Sequence, residues 1–224
     1  MSTIGKRRVN DAAAPTYRRA VTSLDTAATL AVSDPSAAID SLPWLAAALA
    51  DDRDAGRFAT WGSSTVIDEN VGSAVLARPL FDELHRRAGL SARWPVGNAG
   101  LLHVYGYLLS TTPTPYGLKR ERWLSGELEQ ACGLPAGSLL PWATAETLLT
   151  RATAVATALL ARADALVETI DGRSARIAIG ERHPDDAAAL AYAVDDRIVT
   201  LFPVADPAAL RDGLGAPRLR WNAV

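Results

Sequence analysis

The sequence predicts an α+β fold, with a helical amino-terminal half packed on a mainly antiparallel sheet. Apolar residues recur at helical spacing through much of the first half, whereas after residue 165 short apolar runs alternate with two-residue turn signals. Those runs lie too close together for crossover helices, so neighbouring strands should run antiparallel. The sheet is expected to draw on residues 101–109 and on the carboxyl-terminal hairpins. Residues 1–14 read as a flexible leader and 15–224 as one α+β domain, a length that buries a sizeable core.

Pro15 sits where a helix can begin, and Tyr17–Val32 carries Val21, Leu24, Ala28 and Val32 at spacings of three and four. Asp34-Pro35 breaks this run. A second helix follows through Ile39, Leu42, Leu45 and Leu49, bent or interrupted at Pro43. Phe58–Val71 reads as irregular, and Pro79–Ala88 as a short helix closed by Gly89.

Leu101–Leu109 is bounded by Gly97-Asn98-Ala99-Gly100 and by a Pro/Thr-rich loop, which predicts a strand. Period two would put Leu102, Val104 and Leu108 on a core face and His103, Tyr105 and Tyr107 on the other. A helix capped by Ser125 should end at Gly133, and Trp142–Arg162 has the longest helical stripe, through Leu148, Ala152, Val155 and Leu159. Strands at Leu166–Ile170 and Ala175–Ile179 flank Asp171-Gly172, and strands at Ala188–Val194 and Arg197–Val204 flank Asp195-Asp196. Pro207–Leu210 reads as a helical turn and Leu219–Ala223 as a last strand. Ile177, Ile179, Leu190, Val199 and Leu201 are expected to join Leu102, Val104 and Leu108 on the sheet side of one core.

With 23 Lys+Arg against 25 Asp+Glu, the chain lacks the basic surplus of a general nucleic-acid binder. No apolar window is long enough to span a bilayer and no signal peptide opens the chain, so a cytoplasmic protein is expected. The single cysteine, Cys132, excludes an internal disulfide, and no His/Cys spacing offers a metal site. No nucleotide-binding loop precedes a helix, so no tightly bound cofactor is expected.

The densest chemistry lies in Tyr116-Gly117-Leu118-Lys119-Arg120-Glu121-Arg122-Trp123, three cations and two aromatics in eight residues. Lys119 is one of only two lysines among 23 cationic residues, the other being Lys6. Guanidinium forks match carboxylates or phosphates, and aromatic faces accept planar groups or cations. Tyr116, Lys119, Arg120, Arg122 and Trp123 are therefore the candidate substrate-binding set, with Lys119 and Arg122 on one face if the segment is helical. His103, Tyr105 and Tyr107 are the candidate catalytic groups. The plain alternative is a solvated helix start with its aromatics in the core.

Other signals are weaker. Trp61-Gly62-Ser63-Ser64-Thr65 lacks the second glycine of a nucleophile elbow. Gly97–Gly100 reads as a turn, Glu181–Asp186 as a polar connection and Cys132 as a small buried hydrophobe. The expected function is a small-molecule enzyme acting on an anionic, planar metabolite by acid–base chemistry of lyase, isomerase or hydrolase type. The alternative is a non-catalytic ligand-binding or interaction module whose alanine-rich helices, with 43 alanines in the chain, allow close approach in a homodimer. A cavity lined by His103, Tyr107 and Arg122 would favour the enzyme.

Overall fold

The computed structural model describes residues 14–170, 172–181 and 188–212. Residues 1–13 of the leader, most of the polar connection with His183, and the strand expected at 219–223 lie outside the described residues.

Helices dominate the first half. Helix α1 (Ala14–Leu30) ends before Asp34, whose side chain accepts from Ala37 N at 2.9 Å and caps α2 (Pro35–Asp40). Pro43 opens a new helix, α3 (Pro43–Asp54), where proline at the first position loses no helical hydrogen bond. The segment Phe58–Val71, read as irregular, holds two short strands, β1 (Ser63–Thr65) and β2 (Ile67–Asp68), and β3 (Ser73–Ala74) follows it. Helix α4 (Arg78–Ala88) closes on Gly89, whose φ of 65° gives a left-handed cap. Strand β4 (Val96–Asn98) then pairs antiparallel with β1.

Leu101–Leu109 is helical, and this corrects the expected strand and its place in the sheet. A wide π-type turn, Leu101–Tyr105, continues as a 3₁₀ turn, Gly106–Leu109. The reason is local and tertiary together. Asn98 Oδ1 accepts from Leu101 N at 3.0 Å and starts the helix, and all nine residues are buried, so no alternation of exposed and covered positions was there to report a strand. The segment is sunk among α1, α4 and α7 (Leu148–Leu160). Gly100 permits this: a Cβ there would lie 2.6 Å from the buried Trp61 ring.

A small hairpin, β5 (Pro113–Thr114) and β6 (Gly117–Leu118), leads into α5 (Glu121–Leu124) and α6 (Glu127–Cys132). Helix α7 begins at Leu148, six residues later than expected, because Thr147 caps it by accepting from Thr150 N. The four-stranded antiparallel sheet follows in the order β10-β9-β8-β7, from β7 (Leu166–Ile170), β8 (Arg173–Glu181), β9 (Ala188–Val194) and β10 (Arg197–Val204), before α8 (Pro207–Asp212). Asp195 and Asp196, at φ of 48° and 61°, turn the β9–β10 hairpin. The chain is thus an α+β protein with a mostly helical amino-terminal half.

The two faces of the sheet divide by residue size. Ala178, Ala189, Ala191 and Ala193 join Leu201 in the core shared with the helices, and Gly180 lets Leu159 of α7 approach closely. Small side chains let helices sit near the strands. Ile177, Ile179, Leu190 and Val199 form a second apolar cluster with Tyr192 and Val194 on the far face, with Leu210 of α8 packed against it. The expected single core is therefore two clusters, since strand alternation sends neighbours to opposite sides and the register shift between Ile198 and Thr200 parts Leu201 from Val199.

Helix α6 buries Glu129, whose Oε1 accepts from Leu139 N at 3.1 Å while Oε2 has no partner. Burial raises its pKa above the usual 4.5, so the folded state favours the protonated acid. Its contribution to stability is full below pH 4.5 and is lost as pH rises through the folded value. Denaturant melts at pH 5 and pH 8 should show Glu129→Gln gaining stability relative to wild type at the higher pH. An unchanged difference between the two pH values would refute this.

Candidate functional site

The site begins in the extended segment 63–68. Ser64, Val66 and Asp68 are buried while Ser63 and Ile67 are exposed, so strand alternation sends a hydroxyl and a carboxylate inward. Backbone pairing of Ser64 with Gly97 sets that face against the 101–109 helix. Ser64 Oγ lies 3.0 Å from His103 Nε2.

The helix carrying His103 is fixed by a second histidine. His85 Nδ1 donates to Phe81 O at 2.8 Å, which leaves Nε2 to accept from Asn98 N at 3.2 Å. Asn98 in turn donates to Phe58 O and Trp61 O as it caps Leu101. Gly97 is required, because a Cβ would collide with the His85 ring. The motif that reads as a simple turn in the sequence is thus the anchor of the site helix.

Four residues apart on that helix, His103 and Tyr107 stack with ring centroids 4.9 Å apart. Lys119 Nζ lies 5.7 Å and the Arg122 guanidinium 5.3 Å from the Tyr107 ring centroid, both in the cation–π range. Lys119 pairs with Asp68, whose Oδ1 also accepts from Asn70 N and Val71 N. Arg122 Nη1 donates to Leu201 O at 3.1 Å on the edge strand β10, and its guanidinium lies 5.9 Å from the Phe202 ring centroid. The same edge receives Gly62 N through Ile198 O at 2.8 Å, so the cluster sits where the amino-terminal elements meet the sheet. Trp123 is fully buried and donates from Nε1 to His103 O at 3.0 Å.

Burial sets the electrostatics. Desolvation, with help from Arg122 and Lys119, holds His103 well below the usual 6.5, leaving a neutral ring at pH 7. Its Nδ1 is buried without a partner. Tyr107 is pushed up to about 12 by burial and stays a phenol. Burial lowers Arg122 to about 10 and also lowers Lys119, against the pull of Asp68, yet Arg122 remains charged at pH 7. Asp68 moves below the usual 3.8, because Lys119 and two backbone N–H groups outweigh its burial.

Of the residues singled out in the sequence, His103, Tyr107, Lys119, Arg122 and Trp123 come together. Three do not. Tyr105 points away from His103, donating to Asp52 Oδ2 at 2.5 Å, because helical spacing separates 103 and 107 from 105. Tyr116 is 78% exposed at the hairpin tip, and Arg120 pairs with Asp25 of α1 at 2.5 Å. Ser64 and Asp68 were missed as partners of His103 and Lys119. The signal was there in the alternation Ser64, Val66, Asp68, but polar residues at two inward positions made it read as loop.

In the cluster His103 and Tyr107 are buried, while Lys119 and Arg122 are partly exposed. A hollow of about 440 Å³ lies elsewhere, between α6, α7 and β8, and another of about 430 Å³ among Arg53, Arg86 and Arg87. Neither is lined by His103, Tyr107, Lys119 or Arg122. Among the described residues no group of three or more His, Cys, Asp or Glu is placed to hold a metal ion, and no helix is long and apolar enough to cross a membrane. Fold and site together define an α+β protein with a buried cation–aromatic cluster against one sheet edge. Comparison with known protein families, curated proteins and solved structures finds no match to this chain.

Proposed function

We propose that the chain is a small-molecule enzyme acting on an anionic, planar metabolite, with Arg122 and Lys119 holding the anion and His103 moving the proton. One observation carries the reading: Arg122 lies against Tyr107 with a single hydrogen bond and, among the described residues, no carboxylate partner. A desolvated guanidinium whose acidic neighbour, Asp68, is already paired with Lys119 is costly, and an incoming carboxylate supplies both charge and bidentate hydrogen bonds. The Tyr107 and Phe202 rings beside it favour a flat ligand.

The neutral His103 ring serves as the base. Its Nε2 meets Ser64, which leaves the unpartnered Nδ1 for a proton drawn from the substrate, while Tyr107 stays protonated as a hydrogen-bond donor. A diffusible metabolite and a single free cysteine fit a cytoplasmic setting.

Calorimetric titration of aromatic and aliphatic carboxylates and phosphates tests the reading. Arg122→Met should weaken the best binder by about 1.5–3 kcal/mol, the worth of a charge-assisted hydrogen bond. Equal affinity in wild type and variant would reduce the cluster to a structural tie between α5 and β10.

A further inference from the structure

We propose that the site selects planar acids carrying a single negative charge, and that Asp68 is the residue that sets this preference. This rests on the anion-binding reading above. The charges around Tyr107 are few and near. Lys119 and Arg122 face one carboxylate, Asp68, whose residue is 6% exposed. His103, stacked on the same ring, adds no charge at pH 7 because burial and the two cations oppose its protonation. Glu69 is the other acid acting on Lys119, and it is exposed, so water and salt screen it. One half-buried positive charge therefore remains uncompensated.

A monoanion neutralises that charge. A second negative charge on the ligand would stand near Asp68 in a poorly solvated place, where like charges repel strongly. Asp68 cannot escape by taking a proton, since Lys119 and the N–H groups of Asn70 and Val71 hold it ionised. It therefore excludes dianions by charge, and the Tyr107 and Phe202 rings beside Arg122 favour flat ligands by shape.

Two probes of nearly equal shape separate charge from fit: 3-carbamoylbenzoate, a monoanion, and isophthalate, a dianion, with cyclohexanecarboxylate as the non-planar comparison. Wild type at pH 7.5 is expected to bind 3-carbamoylbenzoate at least about tenfold more tightly than isophthalate and cyclohexanecarboxylate. Asp68→Asn keeps the Oδ1 acceptor for the 70–71 turn and removes the charge, and should abolish or reverse the preference between the first two. Equal affinity of wild type for both, or an unchanged preference in Asp68→Asn, overturns the inference and leaves the anion-binding reading standing. Absence of binding by any of the three acids to wild type overturns both.

A measurement on wild type alone keeps the proposal testable if the variant does not fold. As pH falls through the second ionisation of isophthalate, its affinity should climb to that of 3-carbamoylbenzoate. A flat profile overturns the proposal.

Discussion

Replacing Asp52 with Ala is expected to cost about 3–5 kcal/mol of stability. Asp52 sits in α3 with no exposed surface, and three groups from three parts of the chain converge on its carboxylate. Tyr105 donates at 2.5 Å, Thr147 at 2.7 Å and Arg57 at 2.9 Å. Removing the carboxylate leaves the Tyr105 and Thr147 hydroxyls facing a void; Thr147 keeps Thr150, but the phenol loses its acceptor, which is expensive in a buried place. Arg57 loses less, because it keeps Asp51 at 2.6 Å and is partly exposed. The knot also fixes α7, since Thr147 is that helix's cap. Tyr105→Phe, which removes one arm, should cost about 1.5–3 kcal/mol and leave anion binding as it was. Urea melts read both, and a loss below about 1 kcal/mol for Asp52→Ala at unchanged slope would show that the region repacks without the carboxylate.

The second large effect is expected at Trp123. Its side chain has no exposed surface, and truncating a buried tryptophan to alanine costs about 3–5 kcal/mol through lost contacts and a cavity. Trp123→Phe separates two parts of that cost. The phenyl ring keeps much of the packing but cannot donate to His103 O, so about 1–3 kcal/mol should be lost for the stranded carbonyl. Because the lost bond ends on the His103 backbone, the phenylalanine variant should also shift the His103 ring signals in an NMR spectrum. Unmoved signals alongside a stability loss would make Trp123 a packing residue with no hold on the site.

The hairpins and most helices were legible in the sequence because their signals are local. Asp195-Asp196 demands a backbone that favours one turn, Gly89 and Gly133 stop helices through positive φ, and the stripe of Leu148, Ala152 and Leu159 needs only its own spacing to find the sheet. The pairing of Lys119 with Arg122 was legible for the same reason, as two cations three residues apart near an aromatic segment.

What the tertiary structure alone decided is the path of residues 101–109 and the partners of the site. A run buried on every side carries no alternation, so strand and helix look alike in it, and the choice fell to Asn98, whose side chain caps Leu101 while His85 holds its backbone. That choice put Tyr107 rather than Tyr105 beside His103, since helical neighbours are four apart and strand neighbours two. Ser64 and Asp68 stand 39 and 51 positions before His103 and Lys119, and no spacing rule reaches across such distances. Only the folding of β1 and β2 against the helix and α5 brings hydroxyl, carboxylate, imidazole and guanidinium into one buried cluster.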